Sequence, residues 1–272
     1  MASITTRFLG IDEGRQQLHL IDAGRNKFLW SLDLARYPLA RDMQRLDGDR
    51  VLVGYDHGYF ELDWQRGTVL SDCRRWNDVT AVTRLDDGRT LVTGISLAGR
   101  AGVNVLTLDA DGVVTATAWR DGDYVRLLRT TPQGTYLLCT NDHILETTQE
   151  LVELRRFACP GFEHAWKAER LADGTTLVSA GYGAFMAVFD AQGMLLRRFG
   201  GADQVPAAVA PHFYASYAFQ PDGDLLVANW QGHGPDNGHK GEQLLRFDSA
   251  GKLVATWSAP QDISSLQGLL LV

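Results

Sequence analysis

Residues 45–54, RLDGDRVLVG, decide the fold, because their pattern returns as RLDDGRTLVTG at 84–94, RTTPQGTYLLCT at 129–140, RLADGTTLVSAG at 170–181 and QPDGDLLVANW at 220–230. Each copy sets a glycine (Gly48, Gly88, Gly134, Gly174, Gly223) in a short polar turn ahead of a hydrophobic run. Turns of this kind between strand-like runs are hairpins. The glycines recur every 40 to 49 residues, the period of a strand-rich propeller blade.

A second turn series lies further into each unit, at IDAGRNK (21–27), LDWQRGT (62–68), LDADGVV (108–114), FDAQGML (189–195) and FDSAGKL (247–253). Two hairpins per unit make four antiparallel strands. The fourth unit reads TTQELVEL (147–154) with no glycine, so its outer hairpin is expected to turn by other means. Complete units begin near Asp42, Thr80, Arg126, His164 and Tyr214. The C-terminal DISSLQGLLLV (262–272) reads as the first strand of a further unit, and residues 7–34 read as its second, third and fourth strands. The expectation is an all-β, six-bladed β-propeller with four antiparallel strands per blade, one domain over residues 1–272. The C-terminal strand pairs with the N-terminal strands, which leaves no long free sheet edge.

Lysine and arginine total 26 against 33 acidic residues, a formal charge of −7, which argues against a surface that neutralises nucleic-acid phosphates. Cys73, Cys139 and Cys159 are odd in number and lack metal-type spacing, so buried thiols are expected. No 18-residue apolar run is present, so no membrane span is expected. The start MASITTRFLGID lacks the apolar stretch of a secretion signal, and the chain as written is expected in the cytoplasm, or secreted or periplasmic if a signal has been removed.

In such a blade the glycine turns share one end of the sheet, so the second loop and the crossover to the next blade share the other. Six of the seven histidines fall on that second set of loops: His57, His143, His164, His212, His233 and His239; His19 lies inside a strand. Loops of this kind surround the mouth of the central channel, a usual position for a ligand. His164 and His212 open the innermost strands of neighbouring blades, and His233 sits in the long Gly-rich loop 229–241. Converging neutral imidazoles can hold Zn²⁺, Mn²⁺ or Fe²⁺, or serve as general acid and base. These three are therefore the candidate catalytic residues and the candidate metal ligands.

The same loops carry candidate acids, Asp56, Asp123, Asp142, Glu163, Asp236 and Asp262, and candidate substrate contacts, Trp76, Tyr124, Trp166, Tyr182, Tyr214, Trp230 and Gln231. Flat aromatic faces beside polar side chains suit sugar-like ligands, whose ring faces stack while their hydroxyls find fixed partners. Arg126 suits bidentate binding of a substrate carboxylate. Trp30, Trp119 and Trp257 fall on outer strands, where packing is expected of them.

The unit HLIDAGRNKFLWSLDL (19–34) resembles the repeat of quinoprotein-type (PQQ-like) β-propellers, a strand, an Asp-containing turn and a strand with Trp. That resemblance implies the propeller fold. It covers the repeat alone, and the chain shows no recognisable quinone site, so bound PQQ is not expected. Six-bladed propellers also include lactonase-like hydrolases, whose calcium pattern of one Glu, two Asn and an Asp does not stand out here. Two functions follow from the top-face residues: a lyase or hydrolase acting on a small polar or carbohydrate-like substrate, metal-assisted or not, or a noncatalytic propeller that binds a ligand or a protein.

Overall fold

The computed structural model describes residues 3–122 and 124–272, so the candidate acid Asp123 lies outside the described residues. Six four-stranded antiparallel sheets form a ring of blades. Blade 1 joins Leu266–Leu271 to Arg7–Asp12, Gln17–Asp22 and Lys27–Asp33; blades 2 to 6 begin with Asp42–Arg45, Val79–Arg84, Leu128–Thr130, Ala168–Arg170 and Phe213–Phe219. The short turn Ala207–Val209 falls within DQVPAAVA.

Burial explains the strand patterns. Middle strands are covered on both faces by neighbouring blades, so Leu225–Trp230 is buried throughout and reads as a continuous apolar run. The outer strand Lys27–Asp33 alternates between exposed and half-buried residues, as a strand with one wet face must. Trp30 and Trp119 on outer strands anchor their indole N–H groups on Trp64 O (2.9 Å) and Ala101 O (2.8 Å), and Trp257 packs edge-on against Phe8.

Outer hairpins turn on an aspartate. Asp190 Oδ1 accepts the backbone N–H groups of Gln192 (2.9 Å) and Met194 (2.8 Å), with Gly193 in the left-handed region at φ 88°. Blade 4 has neither residue. Thr148 Oγ1 instead accepts from Glu150 (3.2 Å) and Val152 (3.4 Å), and Leu151 takes the left-handed position at φ 64°. Leu151 is 3% exposed within a core cluster, and burial of its side chain offsets the strain of that conformation.

The ring closes by antiparallel pairing of Phe8 with Leu271, Leu9 with Leu270 and Gly10 with Leu269. Asp12, fully buried, accepts the backbone N–H groups of Ser264 and Ser265 at 2.9 Å each. Cys139 and Cys159 are buried and Cys73 partly so; all three are free thiols.

Candidate functional site

At the channel mouth lies a cavity of about 200 Å³. It has room for several waters, at about 30 Å³ each, or one small organic molecule. Its wall draws on five blades: Glu13 and Gln267 from blade 1, Arg41 entering blade 2, Tyr124 and Arg126 entering blade 4, His164, Trp166 and Tyr182 from blade 5, and Phe213, Trp230 and His233 from blade 6. Most belong to second loops and crossovers, and Phe213, Trp230 and Gln267 to strand ends beside them, which is why their side chains converge. A smaller, mostly apolar hollow of about 110 Å³ shares Glu13 and Leu39 with this wall.

Glu13 is the carboxylate of the cavity wall among the described residues, and it is fixed by two donors. Its Oε2 accepts from Trp230 Nε1 at 3.0 Å and its Oε1 pairs with His233 Nδ1 at 2.8 Å. A carboxylate oxygen accepts in this pair, so Nδ1 is the donating ring nitrogen and Nε2 is left outside the contact. The Glu13 side chain is 15% exposed and that of His233 74%.

The loop that carries His233 is pinned rather than loose. Asn237, buried, donates to Gly232 O (2.8 Å) and His233 O (2.7 Å), and Ser264 Oγ donates to Gly234 O (2.5 Å). Ser265 Oγ donates to Gly232 O as well. His233 thus hangs on the segment, Ser264 and Ser265, that leads into the closing strand.

The three candidate histidines lie along a row of rings: His164, Tyr182, His212, Trp230, His233, with successive centroids 5.5, 5.6, 6.1 and 4.7 Å apart. An aromatic ring therefore separates each imidazole from the next, and among the described residues no three His, Cys, Asp or Glu side chains gather as metal ligands. His164 and His233 line the cavity, whereas His212 stands behind Tyr182 and Trp230. Burial holds both His164 and His212 below the usual imidazole range, with Arg126 adding to the effect at His164 and Lys240 at His212. Both rings are consequently neutral near neutral pH.

His164 occupies a left-handed conformation at φ 59°. Gly181 makes this possible: it bridges Glu163 on one side and Tyr214 on the other, and a Cβ there would overlap the carbonyl oxygens of both His164 and Glu163. The same crossing places Tyr182, whose N–H donates to Glu163 O at 2.8 Å.

Arg126 is 7% exposed and donates through Nη1 to Asn141 Oδ1 at 2.8 Å. Its guanidinium lies 5.1 Å from the Tyr124 ring, and Arg41 donates to the Tyr124 hydroxyl at 2.9 Å. Among the described residues neither arginine has a carboxylate partner.

Of the predicted contacts, Trp166, Tyr182, Trp230, Arg126 and Tyr124 meet at the cavity. Tyr214 does not: it is fully buried, its hydroxyl donates to Gly200 O at 2.6 Å, and its neighbour Phe213 lines the wall instead. Successive strand side chains point to opposite faces, so only one of the two can. Gln231 is 2% exposed and its amide is engaged by Asn229 O at 3.1 Å. Trp76 packs under Arg75 against the core between blades 2 and 3. Asp56, Asp142, Glu163, Asp236 and Asp262 stay off the cavity wall. Glu13 and Arg41 were not singled out from sequence; applying the loop rule to IDEGRQQ (11–17), the second loop of blade 1, finds Glu13.

No protein-family model matches the chain, and no curated protein matches it. Among solved structures it is similar to a protein of unknown function from Bacteroides caccae, at 19% identity and TM-score 0.79, with 97% of this chain and 98% of that one covered. A functionally unknown protein from Desulfotomaculum acetoxidans is similar at 14% identity and TM-score 0.60, with 98% of each chain covered. These likenesses bear on the fold. The resemblance to quinoprotein repeats finds no family match beside it.

Proposed function

We propose that this propeller is an enzyme, a lyase or hydrolase, acting on a small polar, carbohydrate-like substrate held in the cavity at the channel mouth. The observation that carries the reading is Glu13, gripped between Trp230 Nε1 and His233 Nδ1. A carboxylate that fixes one ring nitrogen of a histidine sets the tautomer and orients the other nitrogen for proton transfer. His233 is then the acid/base and Glu13 its positioning partner. Tyr182, an exposed ring of the wall, supplies the face on which a sugar-like ring stacks, backed by the buried rings of Phe213 and Trp230. His164, neutral and at the wall, serves as a hydrogen-bonding partner for a substrate hydroxyl.

This reading has no metal step. A shared Zn²⁺, Mn²⁺ or Fe²⁺ would require His164, His212 and His233 to turn past the rings that separate them.

The test is incubation with a panel of glycosides, sugar acids and lactones, followed by NMR in water enriched in heavy oxygen. A hydrolase places the heavy oxygen in product, and a lyase yields an unsaturated product without it. Ligand binding by aromatic-wall residues with no turnover across the panel would instead favour the noncatalytic propeller.

A further inference from the structure

The cavity holds two cations that no acid among the described residues neutralises. Glu13, the acid of the wall among the described residues, is already engaged by two donors. Arg41 reaches Leu39 O through Nε and the Tyr124 hydroxyl through Nη1, both neutral acceptors. Arg126 makes one side-chain hydrogen bond among the described residues, to the neutral Asn141 amide oxygen, and no described residue takes its Nε or Nη2 hydrogens. The two guanidinium groups share Tyr124, one above its ring and one at its hydroxyl, so both are aimed at one side of the same cavity. Elsewhere in the channel the pattern differs: Arg129 pairs with Asp42 (2.5 Å), Arg170 with Glu146 (2.8 Å) and Lys167 with Glu169 (3.2 Å).

We propose that the substrate of this site carries an anionic group, a carboxylate or a phosphate, clamped by Arg41 and Arg126 opposite the aromatic wall. A buried cation without a counter-charge is costly, and an arriving anion removes that cost while accepting charge-assisted hydrogen bonds from a planar fork. Burial pushes the Arg126 guanidinium below its usual range, and the nearby Arg41 adds to this, as expected of a group awaiting an anion. The substrate class becomes an acidic sugar, a sugar phosphate or a small aromatic acid. The proposal rests on the cavity being the ligand site and does not require turnover.

The experiment measures binding of matched pairs by intrinsic tryptophan fluorescence at low ionic strength: galacturonate against galacturonamide, benzoate against benzamide, glucose 6-phosphate against glucose. At least one anion is expected to bind tenfold or more tightly than its neutral partner, which is the scale of one charge-assisted contact. The carboxylate and phosphate arms distinguish the two sources of charge. The preference should vanish in Arg126→Met and in Arg41→Met; Arg41 is the more exposed, so its variant keeps the test sound if Arg126→Met folds poorly. Equal binding of anion and neutral partner in every pair, or a preference that survives both substitutions, overturns the proposal. Turnover without an anion preference would overturn this inference alone, and an anion preference without turnover would overturn only the catalytic reading.

Discussion

Gly181 shows how a single backbone position carries the site. With its φ at +63° and the carbonyls of Glu163 and His164 pressed against it, any Cβ forces the two crossing segments apart. Gly181→Ala is expected to lower stability by about 2 kcal/mol or more and to weaken any ligand of the cavity, measured by denaturant unfolding and by fluorescence titration. An unchanged midpoint would show that the crossing relaxes freely. His164 and His212 make a second prediction. Their folded pKa values lie below the usual imidazole value of about 6.5. As pH falls below that value the unfolded chain takes up protons before the folded one, so the stability they contribute is present above it and is lost on acidification. Unfolding midpoints at pH 7.5 and pH 5.5 should differ more for the native chain than for a His164→Gln, His212→Gln variant. Equal differences would contradict the desolvated placement of the two rings. The aromatic and histidine part of the site was legible in the sequence because those residue types are uncommon on loops. Glu13 and Arg41 were not, because charged residues populate every loop, and only their partners, Trp230 217 positions away and Tyr124 83 positions away, mark them out.

Strands and turns were legible for a different reason. A glycine in a left-handed turn and a run of Leu and Val are local signals, and both repeat. Where the local signal failed, as at Leu151, tertiary burial replaced it. First strands begin two to four residues after Arg126 and His164 in blades 4 and 5, at Leu128 and Ala168, although the lead-ins already bond to the neighbouring strand, as Arg126 N–H does to Cys139 O and Trp166 N–H to Ser179 O. The segment that joins the site to the fold is the lead-in to the closing strand, with Asp12 holding Ser264 and Ser265 while their hydroxyls hold the His233 loop. Asp12→Ala leaves two buried N–H groups without partners and is expected to cost about 3 kcal/mol, at 1–3 kcal/mol each. It should also free the His233 loop, read as faster amide exchange at residues 232–238. Loss of stability with an unchanged loop would separate the closure from the site.

At the scale of the whole molecule, the ring gathers on one face what the sequence scatters over 254 positions, from Glu13 to Gln267. One side of that face is a fixed carboxylate–imidazole pair and the other a pair of guanidinium groups with no carboxylate partner among the described residues, with an aromatic wall beside them. The number of blades follows from the repeat. Which loops face one another follows only from closing the ring, which is why the cavity's two charged sides could not be read from the repeat itself. The measurement that tests the central claim most directly is a double-mutant cycle on the substrate found by the panel, comparing kcat/KM for the native chain, Glu13→Gln, His233→Asn and the double variant. Each single substitution is predicted to lower kcat/KM by about a hundredfold or more, and the double variant to lose no more than the worse single one, because the two residues act as a unit. Independent, multiplying losses, or native rates in Glu13→Gln, would contradict the account.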